Sequence, residues 1–309
     1  MGFDINGLRL LVNAKKLGVN FEKTITIGRQ GLYLESSEIK KIIEEAKLVN
    51  DGDEISFKRF DFAESFLNLL GAKVTDSIDA SNHEGATYIY DLNLPLPNNF
   101  DSKYSLVIDG GTLEHIFNFP IAIENCMKLV AKDGFYIGIT PANNWFGHGF
   151  YQFSPELYYR IFSPDNGFKI IKMYFFIDRK KSPIYEIRDP LELKHRVTMV
   201  NSFPSYLFVI AQKVEEKELF KKTPQQSDYE HVVWKGEDYK IHEETKKEIK
   251  FKLIKKIIPK FLKFKLYKLK RKMIKRKNKV TKLYNLYTKP TGISNSAFIN
   301  KIDESEINN

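Results

Sequence analysis

The chain has 309 residues, 42% of them apolar and 14% aromatic, which excludes a disordered polymer and leaves room for one large domain or two small ones. Its single cysteine, Cys126, excludes an intrachain disulfide and fits a reducing compartment. The net charge of +10 conceals a division: 18 of the 49 Lys and Arg lie from Lys250 to Lys301, where no acidic residue occurs, and the remainder carries 31 basic against 39 acidic residues, a net of −8.

The opening residues, MGFDINGLRLLVNAKKLG, lack the basic start, long apolar stretch and small-residue cleavage site of a secretory signal. Asn6 stands where a myristoylation signal requires Ser or Thr, and no segment is apolar for long enough to span a bilayer. These features predict a cytosolic protein. TITIG (24–28) reads as a short β-branched strand ending at glycine. A helix is predicted over 36–48, capped by Ser36 or Ser37, with Ile39, Ile42, Ile43 and Ala46 on one face. A second, over 61–70, buries Phe62, Phe66 and Leu69 and is stopped by Gly71. Strands follow at 73–81, 86–92, 104–111, 134–141, 168–176 and 205–212. Between them, 117–131 is helical on Phe117, Ile121, Ile123, Met127 and Val130, with Cys126 in the core. A further helix, 154–162, opens with Ser154 as cap, Pro155 and Glu156.

This alternation predicts an α/β fold with a mostly parallel central sheet, helices on both faces and an antiparallel edge made by the last two strands. The predicted division is an α/β domain over 1–213, a linker over 214–246, a basic amphipathic helical tail over 247–289 and a disordered end over 290–309.

Ligands of open α/β sheets collect at the carboxyl ends of the strands. Those ends carry Gly28, Asp79, Asp91, Asp109 and Thr140. Each aspartate alone reads first as a turn or cap residue; three together point to a site, because buried carboxylates need partners. Asp79, ending the second strand, can accept hydrogen bonds from a ribose diol. Asp91 is placed to meet an adenine amino group or to cap the DLNLPLP loop. Gly110 and Gly111, after Asp109, let a ligand approach the backbone.

Two of the six histidines have supporting context. His115 starts a helix beside the Asp109 turn, and His148 lies between glycines in the aromatic loop FGHGFYQF. Either can act as a base near neutral pH; a helix-cap role for His115 and a structural loop role for His148 are the competing readings. His83, His195, His231 and His242 lack such context, and no Cys/His spacing suggests zinc.

YSLVIDGGTLEHI, AKDGFYIGITP and NNWFGHGFYQFSPELYYRIF resemble the class I S-adenosylmethionine-dependent methyltransferases, particularly the type-11-like branch, over roughly residues 20–212. The resemblance implies a Rossmann-like methyltransferase fold with S-adenosylmethionine lying across the strand ends. Asp79 would hold its ribose, Asp91 would lie near its adenine, and Asp109 with Gly110 would flank its methionine part. The family's glycine-rich loop after the first strand is reduced here to Gly28 and Gly31 in TITIGRQGLYL, with no acid before them. Arg29 and Gln30 are candidates for the cofactor's carboxylate, Arg29 reading equally as a surface residue beside a turn.

Residues 247–277 place Ile254, Ile258, Leu262, Leu266, Leu269 and Met273 on one stripe among lysines, interrupted at Pro259. A basic amphipathic helix suits an anionic membrane surface; the acidic body of the chain and nucleic acid are the competing partners. The function expected is methyl transfer to an oxygen (or nitrogen) of an unknown acceptor, a saccharide or lipid-linked precursor at the inner face of the membrane. The alternatives are a non-catalytic binding or scaffold protein on the same fold and an RNA-modifying methyltransferase that uses the tail.

Overall fold

The computed structural model describes residues 2–49, 57, 61–180, 182–193, 201–227, 229 and 299–301. The predicted tail, His195, His231 and His242 lie outside the described residues. The chain divides into two units: one is Met1–His195 with Phe203–Ser227 and Asn295–Asn309, the other Arg196–Ser202 with Asp228–Ser294. Of the second unit, only residues 201, 202 and 229 are described.

In chain order the first unit comprises β1 (Gly2–Phe3), α1 (Ile5–Lys16), β2 (Lys23–Ile27), β3 (Gly31–Leu32), α2 (Ser36–Glu45), α3 (Glu64–Leu69), β4 (Val74–Asp79), β5 (Tyr88–Ile89), β6 (Tyr104–Asp109), α4 (Phe119–Leu129), β7 (Val130–Asn143), α5 (Pro155–Ile161), β8 (Phe168–Ile177), β9 (Ile184–Ile187), α6 (Pro190–Leu193), β10 (Ser205–Lys213) and β11 (Ile299–Lys301). β1 and β3 form a small parallel pair, and the other nine strands form one sheet in the order β11-β9-β8-β10-β7-β6-β2-β4-β5. From β7 to β5 all neighbours are parallel. β10 runs antiparallel between β7 and β8, and β9 and β11 extend that edge antiparallel. Ile27 pairs with Ile78 and Asp109, so β2, β4 and β6 end nearly level, whereas β7, paired to Asp109 at Gly138, continues to Asn143.

The central strands are apolar on both faces because both are covered. Ile25, Ile27, Leu106, Val107, Ile108 and Ile137 are fully buried; each such side chain contributes about 1.5–3 kcal/mol relative to exposure. α1, which the sequence reading did not identify, packs against α2 and β10. Asp4 caps it, its Oδ1 accepting from Gly7 N at 2.7 Å, and Leu8, Leu10, Leu11 and Ala14 are buried.

The predicted elements are present with shifted ends. α2 starts after Glu35, whose N–H donates to Glu38 Oε2 at 3.2 Å; Ser36 Oγ instead donates to the Phe57 carbonyl at 2.6 Å. α3 buries Phe66 and Leu67, leaving Phe62 and Leu69 half-buried. α4 begins at Phe119, and Phe117 is 72% exposed, edge-on to Phe150. Ser154 caps α5 as expected, accepting from Leu157 N, and Cys126 is fully buried.

Two expectations about the chain's second half need correction. Residues 214–227, predicted as linker, run along the first unit: Val214 N donates to Gly167 O, Phe220 N to Asn166 Oδ1 and Ser227 N to Glu156 Oε1. Residues 299–301, predicted to be disordered, form β11 against β9. A three-residue edge strand such as β11 carries too few residues for a period, and the irregular 214–227 segment, held by single hydrogen bonds, has none.

Candidate active site

The ends of β2, β4 and β6 carry the predicted residues, yet they treat them differently. Gly28 follows β2 with φ +71°, a conformation that favours glycine. Arg29 is committed within the protein: its Nε donates to Glu64 Oε1 at 2.7 Å, an Nη to the Glu84 carbonyl at 2.8 Å, and its guanidinium lies 3.8 Å from the centre of the Phe62 ring. Gln30 is 1% exposed and donates from Nε2 to the Ile27 carbonyl at 2.6 Å, while its Oε1 is buried with no hydrogen-bond partner. A Cβ on Gly110 would overlap Gln30 Oε1 and lie 2.8 Å from the Phe3 ring, so that glycine is required by the protein's own packing.

Asp79 is half-buried at the end of β4, and its Oδ1 accepts from Ser81 N at 3.1 Å. Asp91 is exposed, and its Oδ1 accepts from both the backbone and side-chain nitrogens of Asn93, at 2.9 and 2.8 Å. Those bonds hold its carboxyl below the usual carboxylate range and make the residue a turn cap. Thr140, expected at a strand end, is three residues short of one, since β7 runs to Asn143; it is fully buried and accepts from the Tyr158 hydroxyl at 3.0 Å.

Asp109 is fully buried at the end of β6. Its Oδ1 accepts from Thr112 N at 2.8 Å and Leu113 N at 3.3 Å, while Oδ2 has no partner. Burial outweighs the backbone bonds and pushes its pKa up to about 7. Beyond Gly110 and Gly111 a short 3-10 turn, Leu113–His115, presents Glu114 and His115. Glu114, quoted in the motif but not chosen from it, is the residue sequence reasoning missed. It is 1% exposed, its Oε2 has no partner, and burial followed by the charge of Asp109 raises its pKa to about 8.

Glu114 gathers both predicted histidines. Its Oε1 lies 3.6 Å from His148 Nε2 and 4.0 Å from His115 Nε2, and the two imidazoles meet edge-to-face with centres 4.8 Å apart. Burial, then the neighbouring His148, lowers the pKa of His115. Gly149 explains how the aromatic loop reaches this point. Its φ is +67°, a Cβ there would lie 2.7 Å from the Glu114 carbonyl, and that carbonyl accepts from Phe150 N at 2.7 Å. Trp145 stacks obliquely on His148 and donates from Nε1 to the Ser205 carbonyl at 3.0 Å, pinning the loop's other side.

These groups border a cavity of about 300 Å³ over the ends of β6, β7, β10 and β8. It lies across Gly110 and Gly111 from Asp79, which ends β4 on the other flank of β2. Metal-ligand atoms of Glu114, His115 and His148 all lie within 4.8 Å of one another.

No protein-family model matches the sequence, and no curated protein matches it. Among solved structures, the chain is similar to a SAM-dependent methyltransferase from Thermotoga maritima, at 11% identity and TM-score 0.36 over 66% of this chain and 89% of the other. It is similar to the YcgJ protein from Bacillus subtilis, at 11% identity and TM-score 0.35 over 68% and 98%. A third is the branched-chain polyamine synthase from Thermus thermophilus, crystallised with N4-aminopropylspermidine and 5'-methylthioadenosine, at 10% identity and TM-score 0.36 over 69% and 57%. Likenesses at this level carry no argument about this chain's chemistry.

Proposed function

We propose that the chain is an S-adenosylmethionine-dependent methyltransferase acting on an oxygen or nitrogen of a small acceptor. The observation that carries this reading is the division of the strand-end crevice. Asp79 stands on one flank, the Glu114, His115 and His148 cluster with its cavity on the other, and Asp109 with two glycines lies between them. The residues fit the cofactor. One oxygen of Asp79 is left for a ribose diol, and the buried, unpartnered Asp109 Oδ2 and Gln30 Oε1 are acceptors that an α-ammonium would satisfy. Arg29 has no part in this reading, because its guanidinium is taken by Glu64, Glu84 and Phe62.

When bound, S-adenosylmethionine supplies an electrophilic methyl group. The protein's share is to hold the acceptor in the cavity and remove its proton. His148 takes that proton on its imidazole, whose Nε2 lies 3.6 Å from Glu114 Oε1. Trp145 and the glycine-anchored loop fix the ring in place.

The test is transfer of a labelled methyl group from S-adenosylmethionine to a pool of small-molecule acceptors. Wild-type protein should transfer label, and His148→Ala should lose about 10²–10⁴-fold, the usual share of a positioned base. Undiminished transfer by His148→Ala removes it from the mechanism. A binding or scaffold module is the second reading, favoured by Gln30 and Phe3 filling the space against Gly110; absence of both transfer and cofactor binding would select it. A saccharide or lipid-linked acceptor and contact with a membrane or RNA rest on the tail, and a liposome sedimentation assay with anionic lipid tests the first of these contacts.

A further inference from the structure

Three carboxylates border the 300 Å³ cavity: Asp4, Glu114 and Asp178. No Lys or Arg lines it among the described residues. Glu114 Oε1 lies 3.6 Å from His148 and 4.0 Å from His115. The rest of the wall is largely aromatic, with Phe176 fully buried and Tyr206 half-buried. An acidic cluster can be mere turn chemistry, and part of Asp4 is: it caps α1 and accepts from Asn6 Nδ2 at 2.9 Å. Glu114 is different. It is 99% buried, borders the cavity, and has one oxygen with no hydrogen-bond partner, a state that costs free energy until a donor arrives.

We propose that this cavity binds a small primary or secondary amine in its ammonium form, seated with its charge toward Glu114 and Asp178 and its apolar part against Phe176 and Tyr206, and that this amine is the methyl acceptor. The assignment of the amine as acceptor rests on the methyltransferase reading; its binding does not. A cation is the ligand that answers the buried, unpartnered Glu114 oxygen with two further acids at its side, and aromatic faces add to its attraction. Burial raises the pKa of Asp4 and Asp178, and Asp4's charge raises that of Asp178 further. As acceptor, the ammonium loses one proton to the His148 imidazole. The freed nitrogen lone pair then forms the C–N bond as the methyl carbon's bond to sulfur breaks, and that electron pair stays on sulfur as the thioether.

The experiment is calorimetric titration of the full chain, alone and saturated with S-adenosylhomocysteine, with two isosteric pairs: phenethylamine against 2-phenylethanol, and n-butylamine against n-butanol. The expected result is saturable binding of an amine, at least tenfold tighter than its alcohol. That preference should shrink at least fivefold in Asp178→Asn and in Glu114→Gln. Asp4→Asn, which keeps a residue equally good at capping a helix, serves as the variant least exposed to misfolding and should also reduce the preference. Equal affinity for amine and alcohol in both pairs overturns the proposal, as does zinc chloride displacing the amine stoichiometrically, which would give the cluster to a metal. Amine binding without S-adenosylhomocysteine binding would leave the amine site standing and sink the methyltransferase reading. S-adenosylhomocysteine binding with no amine preference would do the reverse.

Discussion

The carboxyl of Asp109 has one oxygen bonded to two backbone N–H groups and the other bonded to nothing. Its folded pKa, about 7, lies above its ordinary value of 3.8. Folding therefore favours the protonated form; the contribution is complete below about pH 4 and is lost as pH rises through 7. Glu114, raised to about 8, behaves in the same way half a step later. Wild-type protein should thus melt at a lower temperature at pH 8.5 than at pH 5, and Asp109→Asn should flatten that dependence in a differential scan. A pH profile unchanged by the substitution would show that the carboxyl is not the titrating group. Asp79 and Asp91 divide at the same scale. Asp91→Ala should alter cofactor affinity less than threefold, since its oxygen already serves Asn93, whereas Asp79→Ala should weaken it at least tenfold.

Each element has a local reason that a single substitution can probe. Ser154 accepts from Leu157 N at the start of α5, so Ser154→Ala should cost about 1 kcal/mol in urea denaturation and leave cofactor affinity unchanged. Gly149 must keep φ +67° and no side chain for its loop to dock on the Glu114 carbonyl. Gly149→Ala should therefore lower turnover at least tenfold while the cofactor still binds, because it displaces His148 from Glu114. The predicted strands and most helices were legible because their periods are strong: β6 and β10 are apolar on both faces, and α2 carries Ile39, Ile42 and Ile43 on one. α1 carried a comparable signal, Asp4 before Leu8, Leu10, Leu11 and Ala14, but the segment was read only for targeting. Phe117 was misplaced because its spacing matches α4, although the chain there is a turn that turns the ring outward.

At the scale of the whole molecule, the sheet order is what makes a site of residues scattered from Asp4 to Tyr206. β2 lies between β4 and β6, so Asp79 and Asp109 flank Gly28; β10 enters between β7 and β8, so Tyr206 and Phe176 reach the same cavity as Glu114. No sequence period encodes such crossovers. That is why the aspartates could be listed along the chain but Asp4 and Asp178 could not be joined to them. No described helix is long and apolar enough to cross a membrane.

The central claim is that the strand-end crevice holds S-adenosylmethionine, and calorimetric titration of S-adenosylmethionine and S-adenosylhomocysteine into wild type and Asp79→Ala tests it most directly. The account predicts saturable binding of both by the wild type, weakened at least tenfold in the variant. Failure of the well-folded wild type to bind either would contradict it, and would mean that Gln30 and Phe3 have closed the crevice from within.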